Sequence, residues 1–412
     1  MIIILADDLT GANDTAIQYT QHGLKTIVMT KFDGSIKMSN FKDYQVVACN
    51  TNSRMMESSL AYIVVKEVIL ALSLSPNTIF YKKVDSLLRG NPGPELKAVM
   101  DVTQADIAFI APAYPQNNRI VKNGEILSPF KPVNVAARFE ETGFQSQIIT
   151  YKNLEKSPEL LVAAINEQFK KGIRLFLFDT LSEKDFIVIS KIMALLQLKT
   201  IYCGSAGFAP YLAPVSEVNE IKPFKQILIA HEKIFVICGT RNPITQKQMH
   251  SVLSHFHADC SLLDVNDIDL NNAINRTSVD VIDKFERGDK IVFLAVSSIF
   301  TDISSLLLEN EDKSNRAQTI TDEIGSVVAQ VCAKVNISAL FVTGGDTALK
   351  VSNKLGVVGM IPLREIAPGV PLLTLVGGKA DGFYMITKSG GFGDKETIVD
   401  SIEYLGGIKN KN

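Results

Sequence analysis

Short, wholly apolar runs alternate along this chain with amphipathic stretches of helix length, and most of the runs end in a turn crowded with polar groups. Residues 2–6, 26–30, 45–49, 78–84, 107–111, 147–151, 175–179 and 200–203 have the length and apolarity of buried strands. Stretches between them, such as 57–72, 158–170 and 183–196, carry helical spacing. That alternation predicts βαβ units and a mainly parallel sheet flanked by helices, an α/β fold. The first helix is predicted to open near Thr10 and to stop at Gly23, a glycine placed to adopt the left-handed cap conformation. Ligands of open α/β sheets bind at the carboxyl ends of strands, so the polar turns mark where function is expected.

The pattern weakens between Ala213 and His231, where Pro214, Glu217, Asn219, Glu220, Lys222, Pro223 and Lys225 make a linker. A second α/β series follows, with strands expected at 234–238, 261–265, 290–296, 339–342, 372–376 and 384–387. Its helices are expected near 245–255, 319–334, 346–354 and 395–404. A chain of 412 residues exceeds one ordinary core, and two domains are predicted, 1–222 and 232–408.

Composition narrows the functional classes. A net charge of −2 gives no broad attraction to nucleic acid or anionic membrane. No apolar run approaches the ~20 residues that span a bilayer. The N-terminus starts as a strand, without a basic segment and cleavage site, so a cytoplasmic protein is expected. The five cysteines are dispersed and suit reduced thiols of a cytosolic chain. His255 and His257 lack a third ligand nearby, and no protein-bound metal site is expected.

Chemistry concentrates in the turns that follow strands. Asp7-Asp8-Leu9-Thr10-Gly11-Ala12-Asn13-Asp14 follows the first strand. Adjacent carboxylates there point to opposite sides, one toward a ligand and the other toward the turn. They suit the hydroxyls of a sugar-like substrate or a Mg²⁺ ion, and capping of the next helix is the plainer alternative. The segment Lys82-Lys83-Val84-Asp85-Ser86-Leu87-Leu88-Arg89-Gly90-Asn91 ends a strand with two lysines, only one of which can face a site. Its Lys and Arg groups, with Arg54 after another strand, can grip a carboxylate, and Asp85 can take a hydroxyl proton. The stiff loop Ala111–Arg119 offers further donors.

In the second half, Gly239-Thr240-Arg241-Asn242, Thr343-Gly344-Gly345-Asp346-Thr347 and Ser389-Gly390-Gly391-Phe392-Gly393 each follow a strand, and the first two also open a helix. Such turns present backbone N–H groups to phosphate. Three in one domain point to a nucleotide, although neither a P-loop nor a dinucleotide fingerprint is present. An acidic site in one half and a phosphate-binding half predict a small-molecule kinase.

Taken together, Leu5–Ala12, Lys83–Asn91, Ala111–Pro115, Thr343–Thr347 and Lys388–Gly393 resemble the four-carbon acid sugar kinases, in order and over nearly the whole chain. The resemblance implies an N-terminal sugar-acid-binding domain, a C-terminal nucleotide-binding domain and an active site in the cleft between them. It implies ATP with Mg²⁺ as the phosphate donor and the C4 hydroxyl of D-threonate, D-erythronate or a 3-oxo-tetronate as acceptor. Substrate contacts are expected from Asp7, Asp8, Arg54, Lys82, Lys83, Val84, Asp85, Ser86 and Arg89, with Asp8 or Asp85 as the catalytic base. ATP contacts are expected from Thr240, Asn242, Gly344, Gly345, Asp346, Thr347, Gly390 and Gly391. The turn after Cys238 departs from the Ser-rich form usual in the family. The Gly-Gly-Asp-Thr turn is more similar to the threonate and erythronate branch. A homodimer is expected only from the general frequency of such assemblies. The rival readings are a kinase or ligase of another hydroxy acid and a non-enzymatic sugar-acid-binding protein.

Overall fold

The computed structural model describes all residues except 31–40, 73–77, 129–130, 213–232, 241, 265, 266, 268, 301–311 and 407–412. The chain divides into two compact units, Met1–Lys222 and Pro223–Asn412; most of the expected linker lies outside the described residues.

Unit 1 runs β1 (Ile2–Ala6), α1 (Leu9–Gln21), β2 (Thr26–Met29), β3 (Val46–Asn50), α2 (Ser58–Ala71), β4 (Ile79–Lys83), α3 (Pro92–Thr103) and β5 (Ile107–Ala111). Three short strands follow, β6 (Ile120–Lys122), β7 (Glu125–Leu127) and β8 (Val133–Asn134), then β9 (Gln145–Ile149), α4 (Pro158–Lys170), β10 (Ile173–Phe178), α5 (Glu183–Leu195) and β11 (Thr200–Gly204). The main sheet is parallel throughout, in the order β2-β3-β1-β4-β11-β5-β10-β9. β1 and β5 are buried along their whole length, as strands covered on both faces must be. The small strands β6, β7 and β8 form a separate antiparallel sheet. Local signals fix several helix starts: Ser157 caps α4, and Ser182 with Asp185 forms a capping box on α5.

Unit 2 runs β12 (Ile234–Cys238), α6 (Pro243–Phe256), β13 (Cys260–Leu263), α7 (Leu270–Glu286), β14 (Ile291–Val296), α8 (Asp312–Lys334), β15 (Ala339–Thr343) and α9 (Gly345–Leu355). It closes with β16 (Gly359–Ala367), β17 (Val370–Val376), β18 (Tyr384–Lys388) and α10 (Thr397–Gly406). Its strand order is β13-β14-β12-β15-β18-β17-β16. The first five strands are mutually parallel, while β16 and β17 form an antiparallel hairpin against β18.

In each unit the winding reverses about the first strand. The chain goes from β1 outward to β2 and β3, then returns to place β4 on β1's other side. Likewise β12 leads to β13 and β14 before β15 pairs with its free edge. Such reversals leave a crevice outside the carboxyl ends of the strands that flank them. The turns after β1 and β4, and those after β12 and β15, sit at these two crevices.

Candidate functional sites: an acidic cluster and a glycine cradle

At the unit 1 crevice, β1 delivers Asp7 and Asp8 side by side, and the loop after β3 delivers Arg54 to both. Arg54 donates through Nε and Nη2 to the two oxygens of Asp7, at 2.9 and 2.8 Å, and through Nη1 to Asp8 Oδ2 at 2.6 Å. Asp8 also caps α1, its Oδ1 accepting from the Gly11 N–H at 2.8 Å. A Cβ on Gly11 would lie 2.5 Å from Asp8 Oδ1 and 3.0 Å from Lys83 Nζ. Glycine is therefore what lets this carboxylate and ammonium crowd the first turn of the helix.

The two carboxyls differ electrically. Burial pushes both up, but Arg54, aided by Lys82 and Lys83, outweighs it at Asp7 and holds that group below the usual carboxylate range. At Asp8, burial, reinforced by the Asp7 charge, prevails over Arg54, and its carboxyl is raised.

β4 delivers the second half of the cluster. Asp85 receives Arg89 Nε at 2.9 Å, Arg89 Nη2 at 2.7 Å and the Leu87 N–H at 3.0 Å. Against the cost of burial, this Arg89 pairing holds the Asp85 carboxyl far below its ordinary value. Ser86 Oγ accepts from Arg119 Nη1, which brings the loop after β5 to the same edge. Val84 is buried, its N–H on the Gly204 carbonyl at 2.9 Å.

Lys82 and Lys83 part company, as alternation along a strand requires. Lys83 faces Gly11 and the carboxylates. Lys82 is fully buried on the other face, with Glu95 Oε2 at 2.6 Å and the carbonyls of Leu5 and Lys83 at 3.1 and 2.7 Å. Ser53 adds a 2.7 Å hydrogen bond to Glu95 Oε1. Thus Asp7, Asp8, Arg54, Lys83, Asp85, Ser86 and Arg89 gather at one edge, and Lys82 instead forms an internal strut between β4 and α3. Glu95 carried no signal in the sequence beyond its place in the first turn of a proline-led helix.

The unit 2 crevice holds a cavity of about 230 Å³. Gly239, Thr240, Gly344, Gly345, Asp346, Thr347 and Gly390 line it, with Val296, Ile320 and Thr321. Gly344, at φ +104°, caps α9, whose first turn points into this space. Gly239 is packed so closely that a Cβ there would stand 1.9 Å from Thr347 Oγ1. Beneath the cradle, Thr343 Oγ1 is buried without a hydrogen bond among the described residues. Asn242 caps α6 at the Ile244 N–H, 2.9 Å away, and Gly391 lies beside Asn242. Of the expected ATP contacts, Thr240, Gly344, Gly345, Asp346, Thr347 and Gly390 line the cavity; Asn242 and Gly391 stand next to it. Arg241 is outside the described residues. Thr321 was missed as part of this region, because a threonine inside a helix looks ordinary in sequence, and Lys388 was read only as the start of its glycine turn, with no role of its own.

Comparison with known proteins agrees with this division. A family model described as a sugar-binding N-terminal domain matches residues 2–138 and 127–212, and one described as a nucleotide-binding C-terminal domain matches 235–398. The chain is 28% identical to a D-threonate kinase of Salmonella typhimurium, over 98% of each chain. It is 25% identical to a D-erythronate kinase of Heliobacterium modesticaldum, over 98% of this chain and 97% of that one. A 3-oxo-tetronate kinase of Haemophilus influenzae is 24% identical, over 99% of this chain and 100% of its own. Among solved structures, one from Salmonella typhimurium LT2 superposes with a TM-score of 0.76 at 19% identity, covering 97% of this chain and 98% of that one. One from Haemophilus influenzae gives 0.69 at 20% identity, covering 98% and 100%. These two share the fold. Among the described residues, no helix is long and apolar enough to cross a membrane.

Proposed function

The chain belongs to the family of four-carbon acid sugar kinases, and from that premise we propose that it transfers the γ-phosphoryl group of ATP to the C4 hydroxyl of D-threonate. As a member it is a phosphotransferase with an alcohol group as acceptor. The assignment of roles rests on one observation above all: a carboxyl raised by burial, Asp8, stands at the crevice of the sugar-binding unit beside a basic group, Lys83. The D-threonate choice is supported by the Salmonella typhimurium relative, and the Gly-Gly-Asp-Thr turn favours the threonate and erythronate branch over the 3-oxo-tetronates.

Asp8 is the better base of the two candidates. A general base works best when its pKa lies toward the operating pH, and Asp8 is shifted that way. Asp85 is shifted the opposite way, with both oxygens held by Arg89. Asp7 keeps Arg54 in place, and Arg54 in turn orients Asp8. The guanidinium of Arg54 faces carboxylates of its own chain, so the substrate's carboxylate falls to Lys83 and to Arg119, which donates to Ser86.

The cradle fits a nucleotide's phosphates. Its walls are glycines that a Cβ would fill, and the first turn of α9 offers N–H groups to anionic oxygens. Asp346 is the carboxylate lining it and would hold Mg²⁺, which binds through one or two carboxylates plus phosphate oxygens and offsets the charge of the transferring group.

The test is ADP release with Mg-ATP across D-threonate, D-erythronate, L-threonate, L-erythronate, a 3-oxo-tetronate and D-glycerate. Turnover with D-threonate well above the rest is expected. A preference for D-erythronate or a 3-oxo-tetronate would replace the substrate named here. Silence with every acid, while Mg-ATP still binds, would overturn the acceptor class.

A further inference from the structure

One buried cation in unit 2 has no carboxylate partner among the described residues. Lys388 ends β18, is fully buried, and directs its Nζ at main-chain oxygens of the turn that follows: Ser389 at 2.8 Å, Phe392 at 3.2 Å and, more weakly, Gly390 at 3.5 Å. It also donates to Thr245 Oγ1 at 3.3 Å. Thr245, from α6, donates in turn to the Gly390 carbonyl at 2.7 Å. Gln248, one turn later, donates to the carbonyls of Phe392 and Asp394 at 3.1 and 2.6 Å.

The carbonyls of Ser389, Gly390, Phe392 and Asp394 are thus drawn to one side. In a trans peptide the carbonyl of one residue and the N–H of the next point in opposite directions. With the Ser389 and Gly390 carbonyls pulled inward, the N–H groups of Gly390 and Gly391 are presented on the side away from Lys388. Gly390 lines the cradle, where a Cβ on it would stand 2.7 Å from Thr240 Oγ1. Successive N–H groups turned the same way make an anion-binding concavity. We propose that Lys388 is a positioning residue for the nucleotide: it anchors the carbonyls of the Ser389–Gly393 turn so that the amides of Gly390 and Gly391 face the phosphates.

The device is sensitive to protonation. Burial lowers the Lys388 ammonium to about 8. Of the ionisable groups facing it, Cys238 on β12 is pushed up to about 12 by burial and is an uncharged thiol across this range. Asp394, at the far end of the turn, directs its carboxylate to the Glu396 N–H and Thr397 Oγ1. From the other packed elements, α6 presents Thr245 and Gln248, and β15 presents Thr343, none of which titrates. As pH rises through about 8, Lys388 loses one N–H donor and its charge, and its grip on the carbonyls loosens.

The inference rests on the nucleotide site proposed above, and the experiment separates the two. Mg-ATP affinity is measured by calorimetry between pH 7 and 9 for the wild type, Lys388→Met and Lys388→Arg, with KM for the acid and kcat recorded alongside. Wild-type affinity is expected to weaken several-fold across that range. K388M should bind about tenfold more weakly at pH 7, independently of pH, with the acid's KM unchanged. K388R, which stays charged, should recover affinity and lose the pH dependence. If the wild type binds no ATP, the site reading fails. If it binds ATP and K388M matches it, or the pH dependence survives in K388M, the role of Lys388 fails. Should K388M not fold, a pH-independent wild-type affinity is sufficient to overturn it.

Discussion

Replacing Gly239 by alanine is the sharpest test of the cradle. The three atoms nearest to the added Cβ are all from the Thr347 side chain: Oγ1 at 1.9 Å, Cγ2 at 2.7 Å and Cβ at 2.8 Å. Ordinary contact begins near 3.4 Å, so the two elements must separate by roughly 1.5 Å, and displacements of ~1 Å in a catalytic site cost on the order of 10²-fold. Thr347 is 1% exposed and sits in the first turn of α9, so it has no solvent side to yield toward. Overpacking of this kind costs about 1–3 kcal/mol of stability. Gly239→Ala is therefore expected to lose on the order of 10²-fold in kcat/KM for Mg-ATP and to bind Mg-ATP more weakly, with urea denaturation showing the stability loss. The double variant Gly239→Ala/Thr347→Gly removes all three clashing atoms. It should bind ATP better than Gly239→Ala alone, a coupling that independent sites would not show. Wild-type affinity and stability in Gly239→Ala would refute the close packing of β12 against α9.

Two further outcomes follow from unit 1. Asp8→Asn should lower kcat by about 10²–10⁴-fold, the usual worth of a general base, with little change in melting temperature, since asparagine caps helices as well as aspartate. Because burial raises the Asp8 carboxyl, the wild-type rate should fall with decreasing pH at a value above 3.8, and near-normal turnover in Asp8→Asn would remove Asp8 from the role. Lys82→Met leaves Glu95 buried and unpaired, which costs about 3–5 kcal/mol in urea denaturation; the loss should shrink at lower pH as Glu95 takes a proton, and Lys82→Met/Glu95→Leu should regain much of it. A Lys82→Met protein as stable as the wild type would show that the strut carries little.

The parallel strands were legible because they are buried on both faces. Ile2–Ala6 and Ile107–Ala111 are continuous apolar runs with no other plausible fate. Gly23 has the positive φ, +82°, expected of it. What escaped were elements too short, or with too small and polar a buried face, to read as apolar. The strands β6, β7 and β8 are two or three residues long, too short to show an alternation. The helix α7 opens Leu270-Asn271-Asn272, and its buried face is carried by residues as small as Ala273, Thr277 and Ser278. β16 and β17 form a hairpin whose seven-residue second strand was expected two residues shorter and whose first was not expected.

The candidate sites divide the same way. The turns were readable as candidates because each follows an apolar strand-like run. Partnerships were not, since they join residues far apart in the chain. The path of the loop after β3 brings Arg54 to Asp7 and Asp8, whereas the inward turn of Lys82 to Glu95 and the grip of Lys388 on its own turn are decided by which face of a strand each side chain takes. A one-residue change of register would reverse the latter two.

The place of β1 in the sheet bears on how the protein is made. It is translated before both of its neighbours: β3, and then β4, which ends at Lys83. During synthesis β1 has no complete set of partners until β4 has left the ribosome, and it must be held in reserve as an exposed apolar strand until then. Closing those intervals is slow, non-local work, and nascent apolar strands are what chaperones recognise and aggregates recruit. The acidic pair that follows β1 is thus assembled late, in the same step that seats the centre of the sheet. Nascent chains released before Lys83 would hold Asp7, Asp8 and Arg54 but have no fold to bring them together.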